Sequence, residues 1–278
     1  MKLKGLNILF LLFIMGSIQA QVKGEAEYLI QYEVKFLLDK FNFEKVEIET
    51  HRLYTGSAVS YYTHEGSAIR DSLVAVAKKY NNRKELEPAF RNIPISRFDA
   101  KVYKNLDRKE VSVQYNIVAD SYLYQEPNVP LQWDFTEESK EVNQYVVHKA
   151  ITSFGGRDWE AWFTTDIPIV DGPYVFSGLP GLIIELYDTE KHYQFNVISI
   201  KPLEKSYEIK IKQNNITNLP KDEFVKFYKR HRENPIGSIT QGRKMVFIDE
   251  NGNQMDMQAV ERSSKENALR ENNYIEIW

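Results

Sequence analysis

The segment YLIQYEVKFL, residues 28–37, determines the class of fold that we predict for this chain. Apolar or aromatic side chains occupy every second position, and mostly polar residues lie between them. This alternation is typical of a β-strand with one buried face, because successive side chains of a strand point to opposite sides of its sheet. The segment therefore predicts a strand that packs one face against a core.

Similar alternation recurs in KEVSVQYNI (109–117), HYQFNV (192–197) and SYEIKIKQ (206–213). Asn251-Gly252 is a hairpin turn signal between two further apolar segments. The 17 Tyr, 15 Phe and 4 Trp also favour strands, where large flat side chains pack across neighbours. We predict a mainly β protein with a single domain, whose curved antiparallel sheet forms a half-barrel or a sandwich.

Two short helices are predicted beside the sheet. Apolar residues recur at helical spacing over Ile69–Tyr80. In LPKDEFVKFYKRHRENP, residues 219–235, proline and acidic residues mark the beginning of a helix and basic residues mark its end. Residues 81–100 are mixed and polar, and they predict a long connection.

Residues 1–20 have the pattern of a secretory signal peptide. Lys2 and Lys4 precede an apolar run that ends at Met15, and Ala20 lies at the predicted cleavage site. The run is shorter than the roughly 20 residues that a membrane-spanning helix needs. We expect an exported, soluble domain over residues 21–278, periplasmic or secreted. It would not be a lipoprotein, since no cysteine is present to carry a lipid.

Charge and cysteine content exclude several classes of function. Removal of residues 1–20 takes two of the 36 basic residues and none of the 39 acidic ones, so the formal net charge becomes −5. That balance argues against nucleic-acid binding, which needs basic patches. The absence of cysteine excludes disulfides, thiolate catalysis and thiolate metal sites.

Residues 145–188 contain the most informative pattern in the chain. On the predicted strand RDWEAWFTT (157–165), Trp159 and Trp162 point to opposite faces, and we expect Trp162 to be the exposed one. The motif that follows is Gly178-Leu179-Pro180-Gly181-Leu182-Ile183. Glycine and proline supply the backbone angles that tight turns need, so the motif predicts a corner that begins the next strand.

The segment GGRDWEAWFTTDIPIVDGPYVFSGLPGLI, residues 155–183, resembles the signature of the GLPGLI family of exported Bacteroidota proteins. This is a Porphyromonas-type family of unknown function. The flanking segments SAVSYYT (57–63), KVYKNL (101–106) and PLQWDF (130–135) are similar to it as well. The resemblance implies a cell-envelope or secreted protein associated with outer-membrane receptors of the TonB-dependent kind. It implies no activity and no catalytic residues.

Four residues of this block are candidates for binding a ligand. Trp162, Tyr174 and Phe176 could line an apolar groove for a small ligand or a peptide. Arg157 could bind a carboxylate or phosphate, or it could instead stabilise its own turn. Our first hypothesis is accordingly a non-enzymatic protein that binds a ligand or a partner in the cell envelope.

Two alternatives remain open, and neither identifies a cofactor. A metal-handling accessory protein would need a site assembled in space from His148, His192, Glu185 and Asp188, because no metal motif is present. A metal or carboxylate hydrolase would need acids such as Glu160 and Asp166 to converge. Asp171 is expected to be solvated in its loop. Neither a GxSxG motif nor a phosphate-binding glycine loop occurs.

Overall fold

The computed structural model describes residues 22–117, 120–127, 131–211, 215–240, 246–249 and 252–276. The predicted signal peptide, residues 1–20, lies outside these ranges. None of the helices in the described ranges has the length and apolar character needed to span a bilayer. The domain boundaries at residues 20 and 21 stay a prediction.

Within the described part of the chain, twelve strands form one sheet. Their bounds are β1 Lys23–Leu37, β2 Val46–Thr55, β3 Val59–His64, β4 Ala100–Asn105, β5 Glu110–Ile117, β6 Asp120–Pro127, β7 Asp134–Val142, β8 Tyr145–Phe154, β9 Arg157–Thr164, β10 Leu182–Asp188, β11 Tyr193–Lys210 and β12 Ile216–Asn218. The order across the sheet is β12-β6-β5-β4-β3-β2-β1-β11-β10-β9-β8-β7. Every neighbouring pair is antiparallel except β12 and β6. The mainly β, curved antiparallel prediction is confirmed, as a single non-closed sheet.

Strand β1 lies near the middle of the sheet and follows the predicted alternation. Ile30, Tyr32, Val34 and Phe36 are all at most 2 % exposed. Each large side chain of this kind contributes about 1.5–3 kcal/mol when it leaves water. Residues 193–197 and 206–210 of the two predicted segments belong to one long strand, β11, which pairs with β1 along most of its length; residues 212 and 213 of the second segment lie outside the described ranges.

The two predicted helices are present, and three more accompany them. The helices are α1 Glu65–Tyr80, α2 Glu87–Arg91, α3 Lys221–Glu233, α4 Pro235–Thr240 and α5 Met257–Arg270. Of the predicted Asn251-Gly252 turn, Asn251 lies outside the described residues; Gly252 has a positive φ, and Ile248 and Gln254 on either side form an antiparallel bridge. The chain then enters α5 rather than a strand, because the Asp256 side chain caps the helix by accepting from the Gln258 amide.

The loop of residues 165–181 fills the interior of the curved sheet. Its side chains Tyr174, Phe176 and Leu179 are fully buried. Phe176 packs on Trp159 of β9, while Lys104 of β4 donates to the Phe176 carbonyl from the other half of the sheet. Strands β4 and β9 are far apart in the sheet order, so the sheet must curve around this loop.

A candidate ligand-binding cleft at the glycine corner

The corner at Gly178–Gly181 needs its two glycines for different reasons. Gly181 has φ +147°, and a Cβ at this position would lie 1.9 Å from the Thr164 carbonyl oxygen. Close backbone approach therefore requires glycine there. Gly178 has φ +92°, yet its Cβ direction meets no atom within 4 Å. The first glycine of the motif thus serves the turn and leaves open space in front of it.

That open space borders a cleft of about 660 Å³, which we call the corner cleft. Its lining residues are Glu27, Tyr28, Thr55, Gly56, Ser57, Leu106, Asp107, Lys109, Pro168, Ile169, Val170, Ser177 and Gly178. The walls come from β1, from the β2–β3 and β4–β5 turns, and from both ends of the central loop. The volume lies within the roughly 300–1,000 Å³ that is usual for small-molecule sites.

The corner cleft presents side chains that have no partner within the described residues. The carboxylates of Glu27 and Asp107 and the ammonium of Lys109 make no hydrogen bond or ion pair there. Glu27 lies at a register shift between Ala26 and Tyr28 in β1, and bulges of this kind often occur beside functional sites. Tyr28 is 37 % exposed and Val170 is 51 % exposed, so aromatic and apolar surface lies beside these charges.

A buried ion pair lies behind the wall of the cleft, next to its lining residues Thr55 and Val170. The Lys104 Nζ atom lies 2.5 Å from Asp171 Oδ1, and both side chains are fully buried. Lys104 also donates to the carbonyl oxygens of Gly172, at 2.7 Å, and Phe176, at 3.3 Å. Thr55, which lines the cleft, donates its hydroxyl to Asp171 Oδ2 at 2.9 Å. Burial lowers the pKa of the Lys104 ammonium, although the charge of Asp171 opposes that shift.

The expectation that Trp162 is exposed is wrong. The two indoles do lie on opposite faces of β9, but Trp159 is 0 % and Trp162 only 7 % exposed. The Trp162 indole N–H donates to the Tyr187 hydroxyl at 2.9 Å, and the Lys140 ammonium lies 4.2 Å from its ring centroid. The stems of surface lysines therefore cover this indole, as long charged side chains commonly do.

The predicted aromatic groove does not open at Tyr174 or Phe176 either. Both side chains are 0 % exposed. The Tyr174 hydroxyl donates to Glu276 Oε1 at 2.6 Å, and Phe176 packs between Trp159 and Trp133. These residues belong to the core, because the loop that carries them turns inward rather than lying on the surface.

Arg157 stabilises the fold instead of facing solvent. Its Nη1 atom donates to Asp188 Oδ2 at 2.9 Å and lies 3.3 Å from His192 Nδ1. Its Nη2 atom donates to Asn273 Oδ1 at 2.5 Å, and both Nη2 and Nε donate to the Tyr274 carbonyl. The guanidinium thus ties β9 and β10 to the C-terminal segment. With its side chain 3 % exposed, it has no surface to offer a ligand.

Only part of the predicted metal set comes together. Candidate ligand atoms of Asp188, His192 and Glu190 lie within 4.8 Å of one another. His148 is exposed on β8, and Glu185 pairs with Lys140 on the outer face of the sheet. The Arg157 guanidinium already contacts both Asp188 and His192. Its positive charge would repel a metal cation between them and therefore disfavours a metal site there.

The acids considered for hydrolysis do not converge. Asp166 is exposed, and Asp171 is buried rather than solvated as expected. Glu160 accepts from Lys149 and Tyr187 at 3.1 Å each. Partial burial raises the pKa of Glu160, but these two hydrogen bonds outweigh it and hold the pKa below its ordinary value. A carboxyl group with a lowered pKa is ionised at neutral pH and is poorly suited to act as a general acid.

A larger cleft of about 810 Å³ contains Glu160 on its wall. Three of its carboxylates already have partners: Glu160 with Lys149, Glu126 with Lys221, and Asp158 with Ser153. Its rim includes the two residues that flank positions 128–130, which lie outside the described ranges. The corner cleft is therefore the better-defined candidate.

Residues 156–185 match a family of unknown function. The family model carries the description "Protein of unknown function (Porph_ging)". The match spans the glycine corner and supplies five residues of the corner cleft, at positions 168–170 and 177–178. It supports a Porphyromonas-type family over this segment and leaves the GLPGLI name as a resemblance.

Two structures of PNGF-II show a similar fold. The structure in space group C2 is 16 % identical, with a TM-score of 0.50, and the similarity covers 86 % of this chain and 38 % of that one. The structure in space group P21 is 17 % identical, with a TM-score of 0.49, and the similarity covers 84 % of this chain and 38 % of that one. The chain thus spans well under half the length of these proteins, and the likeness concerns the β-rich fold alone. No curated protein matches the chain.

Sequence reasoning missed the buried ion pair beside the cleft, although a signal for it was present. In strand β4, Lys104 lies two positions after Val102, a core residue, and therefore on the same face of the strand. A lysine on the buried side of an alternating strand predicts a buried charge, which requires a partner. The partner, Asp171, is 67 positions later in the chain, and no local pattern indicates it.

Proposed function

We propose that this chain is an exported cell-envelope protein that binds a ligand in the corner cleft without catalysing a reaction. The observation that supports this function is the set of unpartnered groups in the cleft. Elsewhere in the described residues, the acids considered as functional, among them Glu160, Glu185 and Asp188, already have partners. Glu27, Asp107 and Lys109 do not; their exposed side chains are hydrated and can exchange that water for the ionic groups of a ligand.

The geometry of the cleft suits recognition more than chemistry. Thr55 in its wall is held by the buried pair of Lys104 and Asp171, so little ordering of this wall is needed on binding. Tyr28 and Val170 offer apolar contact for part of the ligand, while the charged rim provides polar partners. The ligand class is a small molecule or short peptide that carries an apolar group beside ionic groups of either sign.

Location and partners are part of the same proposal. The predicted signal peptide at residues 1–20 supports export, and the family resemblance supports association with an outer-membrane transporter of the TonB-dependent kind. A binding protein of this kind would deliver its ligand, or present it, at the cell envelope.

A pair of tryptophan substitutions tests the proposal. Ser57 is an exposed residue of the β2–β3 turn that lines the corner cleft, whereas Ser263 is exposed on α5 outside it. Affinity-tagged wild type, Ser57→Trp and Ser263→Trp are purified from the native envelope, and bound molecules are identified by mass spectrometry. We expect a reproducible species that wild type and Ser263→Trp retain and Ser57→Trp loses. Equal recovery from all three proteins would contradict the cleft as the binding site.

Metal handling is the second candidate, favoured by the proximity of Asp188, Glu190 and His192. Titration calorimetry of zinc chloride into the folded protein distinguishes it. A metal site at this position would lose heat of binding in His192→Ala and keep it in His148→Ala, whose side chain is exposed elsewhere. The ligand-binding proposal predicts no difference between these two variants.

A further inference from the structure

The pair Lys104 and Asp171 brings an amine and a carboxyl group together in a fully buried place. Both side chains are 0 % exposed, and Nζ lies 2.5 Å from Oδ1. The pair connects β4 with the central loop, two parts of the chain that are far apart in sequence. The chain contains no cysteine, so it has no disulfide to make such a connection permanent.

We propose that Lys104 and Asp171 condense to form an intramolecular isopeptide bond. The proposal does not depend on the corner cleft binding a ligand. It concerns a modification of the protein's own core, which would fix the central loop to the sheet.

The nucleophile is oriented by its other contacts. Two directions around Nζ are taken by the carbonyl oxygens of Gly172 and Phe176. The third direction faces the Asp171 carboxyl group. Burial lowers the pKa of Lys104, although the charge of Asp171 opposes that shift, and only the neutral amine has the lone pair that attacks carbon.

The electrophile is also prepared. The Gly172 amide donates to Asp171 Oδ1 at 2.9 Å, and the Thr55 hydroxyl donates to Oδ2 at 2.9 Å. When Nζ attacks Cγ, negative charge develops on these two oxygens. Hydrogen-bond donors that already point at them stabilise that charge, as an oxyanion hole does.

The reaction balances without any further reactant. The Nζ–Cγ bond forms and one Cγ–O bond breaks. One proton first passes from the Lys104 ammonium to the adjacent Asp171 carboxylate, which gives a neutral amine and a carboxylic acid. Of the three hydrogens that the ammonium carried, one stays on the amide nitrogen and two leave with a carboxyl oxygen as water. Thr55 donates to Oδ2, so this hydroxyl is placed to relay one of these protons to the departing oxygen. Neither oxidation nor reduction takes place. The buried site also keeps out the water that hydrolysis of the amide would need.

Intact-mass spectrometry of the denatured, full-length mature protein decides the question. We expect wild type to be lighter than its sequence mass by one water molecule, and Lys104→Arg and Asp171→Ala to have their full masses. After trypsin digestion, the wild type should give one branched peptide that joins Lys104 to Asp171, with no cleavage after Lys104. This readout does not depend on whether the variants fold.

A second ion pair provides the internal control. Lys101 Nζ lies 2.9 Å from Asp71 Oδ2, but these side chains are 11 % and 28 % exposed. Water solvates this pair, so it should remain unlinked in the same digest. Thr55→Ala should give a larger unlinked fraction than wild type at equal times after refolding. Full sequence mass in folded wild type, or loss of water at another pair, would overturn the proposal.

Discussion

Replacement of Gly181 by alanine should damage the fold far more than the same change at Gly178. At position 181 the new Cβ would lie 1.9 Å from the Thr164 carbonyl oxygen and 2.7 Å from its carbon. Backbone atoms cannot rotate away, so β9 and the corner must separate. Overpacking of this kind costs about 1–3 kcal/mol, and a strained backbone angle costs a further 1–3 kcal/mol or so. We expect a loss of about 4 kcal/mol in the free energy of unfolding.

Gly178→Ala isolates the conformational part of that loss. Its Cβ would meet no atom within 4 Å, so only the positive φ of +92° opposes alanine. A cost of about 1–2 kcal/mol follows. The two variants differ by one methyl group each, three positions apart in the same motif, and the expected difference of roughly 2–3 kcal/mol reports the close approach alone.

Urea unfolding followed by tryptophan fluorescence measures both losses by linear extrapolation. In a chain of this size, the difference should also lower the melting temperature of Gly181→Ala by roughly 5–10 °C relative to Gly178→Ala. If the two variants unfold at the same urea concentration, the contact with Thr164 does not limit stability and our account of the motif fails.

Further predictions concern the polar core and the two indoles. Arg157→Lys should cost about 2–3 kcal/mol, since lysine cannot serve all the acceptors around the guanidinium; Arg91→Lys, on an exposed pair, should be neutral. Burial lowers the pKa of His64 in the folded protein below its ordinary value of 6.5. The contribution of His64 to the free energy of unfolding is therefore complete above pH 6.5, and it is lost as the pH falls through the pKa of the folded state. The titratable groups that face it are His51, Glu49, Asp99 and Glu65. Trp159→Ala should cost about 3–5 kcal/mol, and Trp162→Ala about half of that because water and lysine stems fill its place.

Each of these outcomes has a simple check. The urea concentration at the unfolding midpoint should decrease as the pH is lowered from 8 to 5. His64→Gln should make this decrease smaller in the lower part of the pH range. A curve that His64→Gln leaves unchanged would remove His64 from the explanation. Equal losses for the two tryptophan variants would contradict their assignment to the interior and to the outer face. Neutral behaviour of Arg157→Lys would show that the C-terminal segment is held by other contacts.

Some features could be predicted because they depend on neighbours in the chain. The alternation in β1 determines which residues face the core, since a strand places every second side chain on one side. The proline at the beginning and the charge pattern around Phe224 mark helix α3 within a few residues. Gly178 and Gly181 indicate a corner, because only glycine adopts their backbone angles readily. These signals establish the mainly β class and the position of the turn.

Alternation in the sequence thus predicted several of the strands, the corner and the face on which most residues of those strands lie, but it gave no prediction for strands such as β2, β6 and β7. Only the tertiary structure decided what covers each face. Trp162 alternates outward, yet lysine stems from neighbouring strands bury it, and Tyr174 lies in a loop that turns into the core. The meeting of Lys104 with Asp171 and the walls of the corner cleft likewise join segments distant in the chain. The periodicity of a segment shows to which side of its strand each side chain points. Burial and charge pairing depend on the curvature of the whole sheet, and no single segment determines that curvature.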